Sequence, residues 1–184
     1  MIMKKGKPSR FDVVGQLGVL RRYARSLTRD QANAEDLVQD ALLKAYERRK
    51  TFKPDGDMRG WLLSIVHNTF IDGIRSKRSE ERRNEQVAYL AQQSLAAPQE
   101  NAVRLAQVRS AFLHLPEDQR AALHLVSIEG LSYQEAADTL GIPLGTLMSR
   151  IGRARATLRS MEERTGETRA SAASHLKLVG GKDD

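Results

Sequence analysis

The sequence predicts an all-α protein: two small helical domains joined by a flexible linker. Three observations carry this reading. Apolar residues recur at helical spacing in one segment after another, and no run alternates with the period of a strand. Aromatic residues make up only 5% of the 184 residues, too few for the half-buried faces of a β-sandwich or barrel. Between Ser76 and Gln99 the pattern lapses into a nearly all-charged run, Lys77 to Glu85, and then an Ala/Gln/Ser-rich stretch ending at Pro98. That is the composition of a linker. An apolar fraction of 40% supports packed cores, and the length suits two small domains.

The basic lead-in, residues 1–10, is read as solvated. A first helix spans about Phe11 to Leu27, with Val13, Val14, Leu17, Leu20, Ala24 and Leu27 on its apolar side. Thr28-Arg29-Asp30 breaks it, and Asp30 or Asn33 caps the next helix. That helix, about Ala34 to Lys50, carries the stripe Leu37, Val38, Ala41, Leu42, Ala45 and Tyr46. Acids crowd its first turns and Arg48, Arg49 and Lys50 its last, as the helix dipole prefers. Pro54 and Gly56 make Phe52 to Asp57 a turn. A third helix, about Met58 to Lys77, has the stripe Trp61, Leu62, Ile65, Val66, Thr69, Phe70 and Ile74. His67, Asn68, Asp72 and Arg75 lie on its other faces, so His67 reads as a surface residue and Trp61 as core. Gly73 costs this helix roughly 1 kcal/mol against Ala, which points to a close approach or a weak spot.

After the linker, a fourth helix runs from about Gln99 to Leu115-Pro116 and a fifth from Glu117 to Ile128, with Ala121, Leu123, Leu125 and Val126 buried. Glu129-Gly130 stops it. Ser132 and Glu135 form a capping box for a short sixth helix lined by Ala136, Ala137 and Leu140 and ended by Gly141. The seventh starts near Pro143 and runs to about Met161; the tail beyond Glu163 reads as mobile.

Composition excludes much chemistry. The chain has no cysteine, so disulfides, thiolate metal sites and thiol catalysis are out. Net charge is +7 with a pI near 9.9, which suits a polyanionic partner. No run of apolar residues is long enough to span a membrane, and Met1 to Lys7 is followed by no apolar core of a signal peptide. His67, His114, His124 and His175 are scattered without ligand spacing, and no glycine loop cradles a phosphate. No enzyme activity, cofactor or metal is expected.

The strongest local signal is Ser132 to Arg159: a short capped helix, a glycine turn and a second helix, as in a helix-turn-helix. Between Thr139 and Met161 there is no acid, but there are four arginines: Arg150, Arg153, Arg155 and Arg159. Such a helix suits the phosphate-lined groove of DNA. The stretch Leu131 to Arg155 resembles region 4 of bacterial extracytoplasmic-function (ECF) sigma factors, group IV of the sigma-70 family, and Leu115 to Arg120 resembles the opening of that domain. Ala34 to Asp40 with Lys44-Ala45-Tyr46 resembles region 2.2, and Trp61-Leu62 with Asn68-Thr69 and Asp72 resembles the helix that follows it. The resemblance divides the chain into a region 2 domain (11–80), a linker (81–98), a region 4 helix-turn-helix domain (99–163) and a tail (164–184).

It also implies partners. Asp36, Gln39, Asp40, Leu43 and Glu47 are similar to the surface that grips the β′ clamp helices of core RNA polymerase; region 4 implies the β flap. Promoter −10 contacts fall to Phe52, Lys53, Asp55, Met58, Asn68, Arg75, Lys77 and Arg78. The loop Phe52 to Asp57 resembles one that pockets an unstacked base. Promoter −35 contacts fall to Thr146, Met148, Ser149, Arg150, Gly152, Arg153 and Arg155, with Arg150 and Arg155 bracing backbone or fold. Met148 and Gly152 offer few polar base contacts, which shifts readout towards DNA shape. The family implies a bacterial cytoplasmic protein in a stress response, held by an anti-sigma factor. Two alternatives stay open at the level of sequence: a sigma mimic that sequesters an anti-sigma factor, and a stand-alone helix-turn-helix regulator.

Overall fold

The computed structural model describes residues 13–53, 55–81 and 100–174, and the side chains of 13–53, 55–77 and 105–163. The lead-in, nearly all of the linker and the last ten residues lie outside them. A 3-10 turn at Val14–Gln16 leads into α1 (Leu17–Thr28), followed by α2 (Gln31–Glu47), a second 3-10 turn at Arg49–Thr51 and α3 (Met58–Glu81). The second half holds α4 (Glu100–His114), α5 (Glu117–Ser127), α6 (Tyr133–Leu140) and α7 (Leu144–Ser174). Among the described residues there is no strand.

Local chemistry sets the helix ends. Arg29 adopts a left-handed φ of 62° after α1, and Asp30 caps α2 by accepting from Asn33 N at 2.8 Å. Asp57 caps α3, accepting from the backbone N–H of Arg59 and Gly60 at 3.0 and 2.9 Å. Gly60 leaves room for that carboxylate, because a Cβ there would approach Asp57 Oδ2 to 2.5 Å. The Ser132–Glu135 capping box forms in full, and Gly141 closes α6 with a φ of 63°. α7 runs past the expected end near Met161 to Ser174. Its sequence there holds no proline and is rich in Ala, Glu and Arg, which favour helix.

The α2 stripe is buried at Leu37, Val38, Ala41 and Ala45, but Tyr46 is 62% exposed. The Arg49 guanidinium lies 4.1 Å from the centre of its ring, a cation–π contact that holds it at the surface. A Cβ on Gly73 would meet nothing within 4 Å, so of the close approach and the weak spot offered for it the close approach is absent.

The larger departure concerns the two halves. Each is helical as expected, but α1 packs on α5 and α3 on α6, so one continuous core runs through both. This gives α3 a second buried face. Leu63 is fully buried and His67 is only 8% exposed, against the surface position expected for it. Tyr23 Oη lies 3.1 Å from His67 Nδ1. The middle of α5, Arg120 to Leu125, is buried all round, because it is wedged between α1 and α7; Arg120 and His124 join Ala121, Leu123 and Leu125 inside.

Arg120 is the largest fully buried side chain. A buried guanidinium is tolerable only when its N–H groups are satisfied. Nη1 donates to the carbonyls of Leu113 and Leu115 at 3.3 and 2.5 Å, Nη2 to that of Leu27 at 3.1 Å, and Nε to that of Ser26. Two of these carbonyls close α1 and two precede α5, so one side chain ties the halves together. Burial and neighbouring Arg29 pull its pKa down to about 10, partly offset by Glu117, which leaves it charged at neutral pH. Arg120→Ala strands these carbonyls and is expected to destabilise the protein by about 3 kcal/mol in urea titrations. Ser132→Ala is expected to cost about 1 kcal/mol in the same assay.

Candidate nucleic-acid interface

α7 begins where Pro143 O accepts from Thr146 N and Leu147 N at 2.9 and 3.1 Å. Leu147, Ile151 and Ala154 then fall on one face and are buried. The opposite face presents Thr146, Met148, Ser149, Gly152, Arg153 and Arg155, all exposed. Arg153 Nη2 donates to Ser149 Oγ at 2.8 Å, one helical turn apart, which sets both groups side by side. A Cβ on Gly152 would meet nothing. Arg150 turns sideways and pairs with Asp118 of α5 at 3.3 Å. The six exposed positions of the expected −35 set therefore share one surface, and Arg150 flanks it as a brace.

The expected −10 set divides. Lys53 and Asp55 are exposed in the loop before α3, whose turn is closed by Gly56 N donating to Lys53 O at 2.9 Å. Phe52 is half-buried, its ring 5.2 Å from that of Trp61, and Met58 is half-buried against the core. Trp61 itself packs against the core, as expected. Asn68, Arg75 and Lys77 lie exposed along α3; the side chain of Arg78 lies outside the described residues. On α2, Asp36, Gln39, Asp40, Leu43 and Glu47 share one exposed face, and Leu43 is 65% exposed among the carboxylates.

Two features escaped the sequence. The first is a cleft of about 660 Å³ between the halves, bordered by Asn68, Asp72 and Arg75 of α3, Asp118 of α5, Gly141 after α6, and Arg150 of α7. The second is a buried charge cluster around Glu129, whose side chain has no exposed surface. Arg22 of α1 donates to both its carboxylate oxygens, at 3.2 and 3.0 Å. Arg59 of α3 donates to Oε2 at 2.5 Å and to the Glu129 carbonyl at 2.7 Å. His124 Nε2 lies 3.1 Å from Oε1. Burial alone would push the Glu129 carboxyl up, but the hydrogen bonds from His124, Arg22 and Arg59 and the field of His124 hold it down at about 2. The sequence signal here was the Glu129-Gly130 helix stop, which says nothing of burial. The arginines that bury Glu129 lie 107 and 70 residues away.

Comparison with known proteins decides the family. The sigma-70 region 2 model matches residues 15–80 and a sigma-70 region 4 model matches 105–158. ECF RNA polymerase sigma factor EcfG of Rhodopseudomonas palustris is 35% identical over 152 residues, covering 83% of each protein. This chain belongs to the ECF RNA polymerase sigma factors. The sigma factor is also 36% identical to SigE of Mycolicibacterium smegmatis over 156 residues, 82% of this chain and 60% of that one. Among solved structures it resembles sigma factor RpoE in complex with the anti-sigma factor NepR from Bartonella quintana. The TM-score is 0.71 at 32% identity, over 82% of this chain and 94% of the other. It also resembles CnrH in complex with the cytosolic domain of CnrY, with a TM-score of 0.59 at 28% identity, over 83% and 85%. Like its family, the sigma factor is a transcription-initiation protein with a DNA-binding helix-turn-helix in region 4. No helix among the described residues is long and apolar enough to cross a membrane.

The cluster and the cleft make stability depend on pH. Burial, and then the Arg150 charge, lower the His67 pKa from 6.5 to about 4. Keeping this imidazole neutral stabilises the fold fully above pH 6.5, and the gain is lost as pH falls towards 4. It amounts to at most about 3 kcal/mol. The depressed Glu129 carboxyl contributes stability that is present above pH 4.5 and lost as pH falls towards 2. The thermal midpoint is expected to drop in both windows, and His67→Gln to flatten the upper one. An unchanged profile in that variant would refute the buried neutral imidazole.

Proposed function

We propose that this sigma factor binds core RNA polymerase, carries it to promoters and helps to open the −10 region. In this reading the α2 face Asp36, Gln39, Asp40, Leu43 and Glu47 grips the β′ clamp helices, and region 4 meets the β flap. The exposed α7 face, Thr146, Met148, Ser149, Gly152 and Arg153, enters the −35 major groove, with Arg150 and Arg155 bracing backbone or fold. Phe52, Lys53, Asp55 and Met58 form the base-capturing loop end, while Asn68, Arg75, Lys77 and Arg78 follow the melted strand. The protein works in the bacterial cytoplasm, in a stress response, under an anti-sigma factor. That last point draws support from RpoE and CnrH, each solved with a protein partner.

The observation that carries the reading is the α7 surface. A helix whose first part, as far as Met161, holds no acid, with Arg153 set beside Ser149 above a buried Leu147–Ile151–Ala154 stripe, is a fixed, cationic, groove-sized probe. The α2 face complements it, since an exposed leucine ringed by carboxylates suits a protein partner with basic and apolar groups.

Two substitutions separate the roles. Asp40→Lys, at an exposed position, is expected to weaken binding to core polymerase at least ten-fold by fluorescence anisotropy, with helicity unchanged. Arg153→Ala is expected to cut promoter-specific transcription roughly ten-fold, within the usual range for one base contact, while polymerase affinity stays as it was. Equal transcription from every promoter by Arg153→Ala would remove α7 from the groove. A footprint on duplex DNA without polymerase would point instead to a stand-alone regulator.

A further inference from the structure

The cleft of about 660 Å³ is also bordered by Arg48, the residue that closes α2. Its volume falls within the roughly 300–1,000 Å³ of small-molecule pockets. Three carboxylates and three guanidiniums line it, but they do not cancel in place. Asp118 is taken by Arg150 at 3.3 Å and Asp72 by Lys44 at 3.7 Å. Glu117 acts on the buried Arg120, whose charge it supports. Arg48 and Arg75 differ from these. Both are exposed, and among the described residues neither meets a carboxylate. Two cations from two elements thus border one space without partners of their own.

His67 adds a fixed donor. It is only 8% exposed and borders the same cleft. Tyr23 Oη lies 3.1 Å from its Nδ1, and this fully buried phenol has no other side-chain partner among the described residues. A buried hydroxyl must place its hydrogen. Tyr23 therefore donates to Nδ1, and the imidazole proton sits on Nε2. Burial, and then the Arg150 charge, keep the ring neutral, with a pKa lowered to about 4. The result is an uncharged Nε2–H, without a protein acceptor, on a ring that borders the cleft. Asn68 supplies an exposed amide from the next position of α3. Phe70 and Ile71 of α3 and Ile142 before α7 give the same space an apolar wall.

We propose that this cleft is a nucleotide-binding site, with the phosphates on Arg48 and Arg75 and the base and sugar along the apolar wall, within reach of His67 and Asn68. Guanidinium forks match phosphate oxygens, so side chains do here what a glycine loop does elsewhere. A bare phosphate would use the cationic end alone. The wall and the two uncharged polar groups suit a flat ring that carries acceptors. Arg48 belongs to none of the polymerase and promoter surfaces proposed above, whereas Asn68 and Arg75 are placed on the melted strand. Bound nucleotide and melted promoter therefore compete for those two residues. The competition rests on the function proposed above; the binding site itself does not.

The full chain is titrated calorimetrically with ADP, GDP, CDP and UDP, and with inorganic pyrophosphate, at one fixed ionic strength. At least one nucleoside diphosphate is expected to bind with a Kd well below about 1 mM, and more tightly than pyrophosphate. Arg48→Gln and Arg75→Gln, both at exposed positions, are each expected to weaken it roughly ten-fold, the worth of one charge-assisted hydrogen bond. Arg109→Gln removes an exposed cation of α4 outside the cleft and is expected to bind as the parent does. Binding of none of the diphosphates, equal binding of pyrophosphate, or an equal loss in Arg109→Gln would overturn the site whatever the chain does in transcription. The tightest diphosphate, added to polymerase and promoter, is expected to lower promoter-complex formation several-fold with the parent and less with Arg48→Gln. Equal inhibition of the two, or none, would overturn the competition. No promoter complex even without nucleotide would defeat the proposed function and leave the site standing.

Discussion

A carboxylate with no exposed surface, Glu129, sits between two arginines from one helical half and a histidine from the other. The placement of the remaining helices follows from accommodating it. Its partners must converge from α1, α3 and α5, which forces α5 into the groove beside α1 and sets α6 against α3. Arg120 is the opposite case, a cation whose partners are four backbone carbonyls. One group consumes positive charge and the other consumes the free ends of two chain segments. Between them they specify a unique register, which greasy contacts alone specify less sharply. A wholly apolar interface of the same extent would also resist water from every side, whereas this one has hydrated arginines at its rim.

What the sequence made legible was local. Asp30, the Ser132–Glu135 pair and Gly141 act through groups within four residues, so their chemistry was readable without a fold. The stripe of α2 was readable as far as Ala45 because that helix buries a single face. α3 and α5 were misjudged because each buries more than one. His67 looks polar by type and lies off the apolar stripe, yet region 4 covers it; Arg120 and His124 look solvated, yet α1 and α7 enclose them. No periodicity reveals a face whose covering residues come from the other half of the chain. Tyr46 fails in the opposite direction: it continues an apolar stripe, but Arg49 gives its ring a partner at the surface.

The surfaces expected to meet partners had a different weakness. Composition cannot separate a partner-binding face from an ordinary wet one, since both are polar and exposed. Leu43 is the residue that distinguishes the α2 face, and it does so only once its exposure is known. Between Thr139 and Met161 the absence of acid was visible at once, and Asp118 gives the bracing Arg150 its partner. The family resemblance supplied these assignments ahead of the geometry; the geometry supplied the closeness of the two halves, for which the sequence held no short-range sign.

The turn from Gly141 to Pro143 does more than join two helices. It fixes the angle at which α7 starts, and each residue along a helix advances that angle by about 100°. With the present length, Leu147 and Ile151 point inward and Ser149 and Arg153 outward. One extra residue in the turn would rotate the whole pattern, offering leucine to water and arginine to the core. The turn can therefore accept changes of side chain that respect its left-handed glycine and its opening proline, but not a change of length. Its length, more than its chemistry, decides which way the arginines look.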